Sequence, residues 1–83
     1  MRPAVIEHAE RMETRLKEND HKGGWLTCSF EYLLERLREE VDELDTALNG
    51  YDLDDDPVIE AADVANFAMM IADKYVRRKQ RSG

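Results

Sequence analysis

Four carboxylates in this chain form two pairs whose types and spacing suit metal binding. Glu40 and Glu43 stand three residues apart, and Glu60 and Asp63 repeat that spacing farther along the sequence. Residues three apart on a helix are neighbours on its surface, so each pair lies on one helix face. Four converging carboxylates repel one another unless a cation compensates them, and Mg²⁺ takes such oxygen ligands. The spacing predicts a metal site if two helices bring the pairs together.

The competing interpretation is that these acids belong to solvated helix faces. It explains some of the four acids better than others. Glu40 and Glu43 lie in an acid-rich segment in which Arg36, four residues before Glu40, is an available ion-pair partner. Glu60 lies where the first turn of a helix favours an acid. Asp63 lacks such an explanation, because Asp is unfavourable inside a helix and its neighbours here are apolar. The metal hypothesis therefore depends on both pairs together.

A second metal hypothesis comes from acids at the first, third, fifth and twelfth positions of an EF-hand-like calcium loop: Asp52, Asp54, Asp56 and Asp63. The sixth position of such a loop needs the sharp turn that glycine provides. Pro57 stands there instead, and its ring restricts φ. Asp56 and Pro57 suit the N-cap and the first residue of a helix. A calcium-binding loop is therefore the less favoured alternative.

The acid pairs must be positioned by helices, and the apolar periodicity predicts three of them. They span about residues 3–19, 29–49 and 57–79. A pair of glycines interrupts the chain after the first helix, and Asn49–Gly50 ends the second. If the second and third helices form an antiparallel hairpin, the acid pairs face each other near its closed end.

The second helix carries apolar residues at spacings of three and four, which form a heptad-like apolar stripe: Phe30, Leu34, Leu37, Val41, Leu44 and Leu48. The third helix is apolar on nearly every face over residues 58–71, so its whole circumference needs to be buried. Two ordinary helices cannot enclose it, and we expect another subunit to do so. The sequence predicts an all-α, three-helix protomer that forms a dimeric or tetrameric helical bundle.

Composition narrows the classes of partner. The 83-residue chain has a net charge of -7, which argues against nucleic acid as a partner, because phosphates attract basic surfaces. Its single cysteine cannot form an intramolecular disulfide. The longest uncharged run, residues 64–72, is too short for a membrane span, and no apolar signal segment opens the chain. We expect one domain over residues 1–83 in a cytoplasmic protein with no membrane partner.

The two acid pairs also carry a family resemblance. The segment EEVDE, Glu39 to Glu43, is followed after sixteen residues by EAAD, Glu60 to Asp63. This arrangement is similar to the EExxE…ExxD motif of the MazG-like, all-α nucleoside triphosphate pyrophosphohydrolases. The segments LLERLREEVDELDTAL and VIEAADVANFAMMIADKY resemble the second and third helices of that family. The resemblance spans about residues 20–76.

The resemblance implies a hydrolase with a Mg²⁺ cofactor. Such enzymes hydrolyse a ribo- or deoxyribonucleoside triphosphate to the monophosphate and pyrophosphate, with water attacking the α-phosphate. The positions that match the family's metal ligands are Glu40, Glu43, Glu60 and Asp63. Either Glu39 or Glu40 would take the proton of the water, and the sequence leaves that choice open.

Three further residues are candidate substrate contacts. Trp25 lies beside flexible glycines and either stacks on a base or seals the end of the bundle. Asn66, one turn beyond Asp63, either contacts the substrate or bonds between helices, and Lys74 either meets a phosphate or forms a salt bridge. Larger family members close the pocket with additional helices, so three helices imply that a neighbouring subunit completes it. The rival hypothesis is a non-catalytic helical module that oligomerises or binds a partner.

Overall fold

Over the residues that the structure describes, the chain forms three helices. A computed structural model describes residues 1–20, 23–50 and 54–82, and within these ranges it contains no strand. In chain order the helices are α1 (Pro3–Glu18), α2 (Phe30–Leu48) and α3 (Pro57–Ser82). As far as the described residues extend, none of them is long and apolar enough to cross a bilayer. The predicted all-α class and the three helices are confirmed, and α3 continues beyond its predicted end near residue 79.

Local capping explains where α2 and α3 begin. The side chain of Ser29 accepts a hydrogen bond from the Tyr32 backbone N–H at 3.0 Å and so caps α2. Asp56 caps α3, since its Oδ1 accepts a hydrogen bond from the Val58 backbone N–H at 2.9 Å. Gly50 follows α2 with a φ of 71°, a left-handed conformation that glycine adopts without strain. The predicted cap at Asp56 and the predicted stop at Gly50 are both confirmed.

α3 is the central helix of the protomer. Both α1 and α2 pack against it, and over the described residues they do not pack against each other. The rings of Phe30 and Tyr75 lie 6.4 Å apart, and the guanidinium of Arg36 lies 5.1 Å from the ring centre of Phe67. Residue numbers on α3 fall as those of their partners on α2 rise, so the two helices are antiparallel. The hairpin on which the predicted convergence of the acids depends is present.

The buried face of α2 differs from the predicted apolar stripe. Its buried residues are Leu33, Glu40 and Ala47, which follow one another at intervals of seven. Three members of the predicted stripe remain exposed in the protomer: Leu34, Val41 and Leu48. A wide apolar face has two edges. α3 packs against the edge that also carries Glu40, which turns the other edge outward.

One protomer leaves much apolar surface uncovered. Among the described residues, the buried apolar side chains are those of Leu33, Ala47 and Ala62. α1 has no buried residue, and Val58 and Ile59 in the first turn of α3 are exposed. A single protomer therefore does not bury the whole circumference of α3.

Candidate metal centre

Carboxylates from α2 and α3 converge at one place. Glu40, Glu60 and Asp63 each offer one oxygen to a cluster in which these oxygens lie within 4.8 Å of one another. Glu43 lies on α2 beside Glu40 and Glu60, close enough to raise the pKa of both. The structure therefore brings together all four acids that the sequence singled out, three of them in the tight cluster.

These acids line a cavity of about 420 Å³. α3 forms its floor and α1 and α2 form its sides, since both helices pack on α3 without packing on each other over the described residues. Beyond the four acids, the charged, amide and aromatic side chains that line the cavity include Arg15, Trp25, Tyr32, Arg36, Asn66 and Phe67. Acidic, cationic and aromatic groups therefore share one concave site.

Two carboxylate oxygens of the cluster are buried without a hydrogen-bond partner in the part of the chain that the structure describes. Among the described residues, nothing donates to Oε2 of Glu40 or to Oε2 of Glu60, and Glu40 is only 5% exposed. Oδ1 of Asn66, a residue that is 3% exposed, is likewise buried without a hydrogen-bond donor among the described residues. A buried acceptor without a partner costs about 1–3 kcal/mol, and more when it is charged. A hard divalent cation coordinated by these oxygens would remove that cost, so the donor set fits such an ion.

Burial, hydrogen bonding with Glu43 and mutual repulsion raise the pKa values of two of the acids. Burial, followed by the nearby Glu43 and Asp63, raises the pKa of Glu40 to about 7 against the opposing effect of Arg36. Burial, followed by Glu43, also raises the pKa of Glu60 to about 7. A bound cation favours the charged carboxylates and would lower both pKa values. Cation binding at this site would therefore release protons.

Asp63 is paired with an arginine from α1. Nε of Arg15 donates to Oδ1 of Asp63 at 2.9 Å, and Nη2 donates to Oδ2 at 3.1 Å. Nη1 of the same guanidinium donates to Glu18 at 2.6 Å. Sequence reasoning missed this pair, because no local pattern links positions 48 residues apart. The available signal was weak: Arg15 stands three residues after Met12 and so borders the apolar stripe of α1.

Glu40 is paired with an arginine of its own helix. Nη2 of Arg36 donates to Oε1 of Glu40 at 2.8 Å, and Nη1 pairs with Glu39. The ion pair between Arg36 and Glu40, which the sequence offers as the alternative to metal binding at Glu40, is therefore formed in this structure. Glu39 is exposed and does not line the cavity, whereas Glu40 does. Of the two residues considered for proton transfer, Glu40 is the one that lies at the site.

Trp25 and Asn66, two of the candidate substrate contacts, lie on the cavity wall. Nε1 of Trp25 donates to Oδ2 of Asp73 at 3.0 Å, which orients the indole. Nδ2 of Asn66 donates to the carbonyl oxygen of Met12 at 3.0 Å, a bond from α3 to α1. Asn66 therefore forms an interhelical bond and still offers an acceptor to a ligand.

Lys74, the third candidate contact, lies elsewhere. Its Nζ donates to the carbonyl oxygen of Leu26 at 3.1 Å and lies 5.1 Å from the ring centre of Phe30. It lines a second cavity, of about 560 Å³, beside the first turn of α2. The rise along α3 separates positions 63 and 74 by about 16 Å. The structure does not bring Lys74 to the carboxylates.

The aspartates of the calcium-loop alternative have other roles where they are described. Asp52 lies outside the described residues. Asp56 caps α3, and both oxygens of Asp63 accept hydrogen bonds from Arg15. Asp56 therefore makes a contact that a calcium loop does not use, and Asp63 contributes to the carboxylate cluster with Glu40 and Glu60.

Comparisons with known proteins add no relative to this description. The chain matches no model of a known protein family, no curated protein and no solved structure. Membership of the MazG-like family stays a prediction that depends on the EExxE…ExxD pattern.

Proposed function

We propose that the chain is a Mg²⁺-dependent nucleoside triphosphate pyrophosphohydrolase of the MazG-like kind. The observation that carries this proposal is the cluster of Glu40, Glu60 and Asp63, in which two buried carboxylate oxygens have no partner among the described residues. Solvation does not explain buried oxygens, and packing does not explain converging charges. A cation that also binds a phosphate ligand accounts for the charges and for the adjoining cavity.

Carboxylates from two helices would hold the cation. Glu40, Glu60 and Asp63 supply the converging oxygens, and Glu43 stands beside them. Because all of these ligand atoms are oxygens, they favour a hard ion such as Mg²⁺, which keeps water and phosphate oxygens as its remaining ligands. Mg²⁺ in such a site neutralises phosphate charge and lowers the pKa of a bound water.

The cavity suits a nucleotide in size and in wall chemistry. Its volume of about 420 Å³ lies in the range of small-molecule sites. The triphosphate would lie over the carboxylate cluster, where Arg15 and Arg36 add positive charge, and the base would lie against Trp25. Oδ1 of Asn66 would accept a hydrogen bond from the nucleotide. No described contact separates ribose from deoxyribose, so both kinds of nucleotide are candidate substrates.

Hydrolysis at the α-phosphate requires a water, a base and a leaving group. The water oxygen forms a bond to the α-phosphorus while the bond from that phosphorus to the α,β-bridging oxygen breaks, and pyrophosphate leaves. Glu40 would take the proton of the water, because it lines the cavity and has a buried oxygen without a described hydrogen-bond partner. Glu39 could serve only after leaving Arg36 and turning inward. The rest of the catalysis is positioning and charge neutralisation.

The proposed active form is a homodimer or homotetramer. Leu34, Val41 and Leu48 form an exposed apolar row on α2, and Val58 and Ile59 are exposed at the start of α3. Exposed apolar surfaces of this kind mark interaction sites.

The test is a screen of pyrophosphate release across canonical and modified nucleoside triphosphates, with and without Mg²⁺. Hydrolysis in ¹⁸O-labelled water should place the label in the monophosphate, because the proposal puts the attack at the α-phosphate. Release of inorganic phosphate in place of pyrophosphate would contradict it. If the purified protein binds no Mg²⁺ and cleaves no nucleotide, a non-catalytic oligomerisation or partner-binding module is the better explanation.

A further inference from the structure

The pair between Arg15 and Asp63 conflicts with the proposed metal site. Both oxygens of Asp63 accept hydrogen bonds from Arg15, at 2.9 and 3.1 Å. The same carboxylate contributes an oxygen to the cluster with Glu40 and Glu60. A cation bound there would repel the guanidinium and compete for the atoms to which it donates. Metal binding at Asp63 therefore disfavours its two-point contact with Arg15.

Arg15 can leave Asp63 and still keep an ion-pair partner. Its side chain lines the cavity, is 30% exposed, and also donates to Glu18 of its own helix at 2.6 Å. Arg36 is different, because its partner Glu40 lies one turn away on the same helix and its guanidinium lies over Phe67. Of the two cavity arginines, Arg15 is the one whose acid partner lies on another helix.

We propose that Arg15 changes its anionic partner from Asp63 to a nucleotide phosphate when the cation and the nucleotide bind. It neutralises Asp63 in the metal-free protein, leaves it when the cation binds, and then donates to the phosphates of the nucleotide. The planar guanidinium matches phosphate oxygens as well as it matches a carboxylate. This inference rests on the proposed function and adds an order of events to it. Cation binding precedes tight nucleotide binding, and α1 supplies a substrate-binding residue.

The exchange can be followed on the full chain by NMR of the arginine Nε–H groups. The Arg15 signal is assigned by comparison with the Arg15→Lys variant. In the metal-free protein this proton should exchange slowly with solvent, because Nε donates to Asp63. Saturating Mg²⁺ should speed the exchange by about tenfold or more. A triphosphate analogue with a non-cleavable α,β-bridge should slow it again.

Binding constants provide a second readout. In Arg15→Gln, Mg²⁺ alone should bind about fivefold more tightly, because the competing guanidinium is gone. The analogue with Mg²⁺ should bind about tenfold more weakly, because a charge-assisted hydrogen bond to phosphate is lost. Arg11→Gln, at an exposed position of the same helix, removes an equal charge and should change neither constant by more than about twofold. An ion pair with only a structural role would not produce opposite shifts.

Three results would overturn the inference. If Mg²⁺ binds and the exchange of the Arg15 Nε–H stays slow, the pair with Asp63 is permanent, and the proposed function stands without the exchange. If Arg15→Gln and Arg15→Lys both bind the analogue as tightly as the wild type, Arg15 does not contact phosphate. If no Mg²⁺ binds at all, both the inference and the proposed function fail.

Discussion

Glu40 and Asp63 lie on different helices, yet each places a carboxylate oxygen in the same cluster and each is paired with an arginine. Arg36 reaches Glu40 from within α2, and Arg15 reaches Asp63 from α1. These cations offset part of the negative charge, while one buried oxygen of Glu40 and one of Glu60 have no described partner. The cluster is therefore partly compensated, and a divalent cation would complete the compensation.

Replacement of Asp63 by Asn is expected to lower kcat/KM for Mg²⁺-dependent pyrophosphate release by about 100-fold or more. Asn keeps the size of the side chain but removes its charge and one ligand oxygen. A coupled pyrophosphate assay measures the loss, and size-exclusion chromatography with circular dichroism should show an unchanged assembly. Asp42→Asn, at an exposed position of α2, is the matched control and should retain activity. Full activity in Asp63→Asn would remove Asp63 from the ligand set.

The metal-free protein should lose stability as the pH rises from about 5 to about 8. The folded-state pKa values of Glu40 and Glu60 are raised from 4.5 to about 7, so the folded state binds more protons than the unfolded state in this window. Their contribution to the free energy of unfolding is full below the unfolded-state pKa and is lost as the pH passes the folded-state value. Thermal unfolding in EDTA should show Tm falling by about 10 °C or more.

Saturating Mg²⁺ should oppose this trend, because the cation binds the deprotonated acids and stabilises the folded state most at high pH. Glu40→Gln should reduce the pH dependence in EDTA, since the amide does not titrate. Glu35→Gln, at an exposed position of the same helix, should leave it unchanged. A Tm in EDTA that is constant between about pH 5 and pH 8 would contradict the raised pKa values.

Nucleotide binding should quench the fluorescence of Trp25, the single tryptophan, because the base is expected to stack on its indole. Trp25→Ala should weaken binding of the non-cleavable analogue about tenfold, and Trp25→Phe should keep the affinity within about threefold. Titration calorimetry below the Tm of each variant measures both values. If Trp25 only seals the bundle, the Ala variant will lose stability but keep its affinity.

A charge in the exposed apolar row of α2 should disrupt the oligomer. Val41→Glu is expected to raise the dissociation constant of the assembly by about 100-fold, because the interface would bury an unpaired carboxylate. Light scattering coupled to chromatography over a range of protein concentrations measures the change. Asp42→Asn, next to this position but outside the apolar row, should behave as the wild type. A wild-type protein that is monomeric at high micromolar concentration would refute the proposed assembly.

Short-range chemistry made the helices and the acid pairs predictable. The cap at Asp56 and the turn at Gly50 act over a few residues, so their neighbours in sequence suffice to recognise them. The spacing of three likewise places Glu60 beside Asp63 whatever the rest of the chain does. The sequence by itself therefore determined that acids would lie in pairs on two of three helices.

Only the tertiary structure decided which groups these acids meet. Apolar periodicity marks a broad face of α2, but the rotation of the helix against α3 selects Leu33 for the interior and leaves Leu34 outside. Arg15 and Asp63 are 48 residues apart in the chain, so their contact depends on how α1 lies across α3. Spacing along a helix is determined by local backbone geometry. The rotation and crossing of helices depend on the packing of whole elements, which no local pattern specifies.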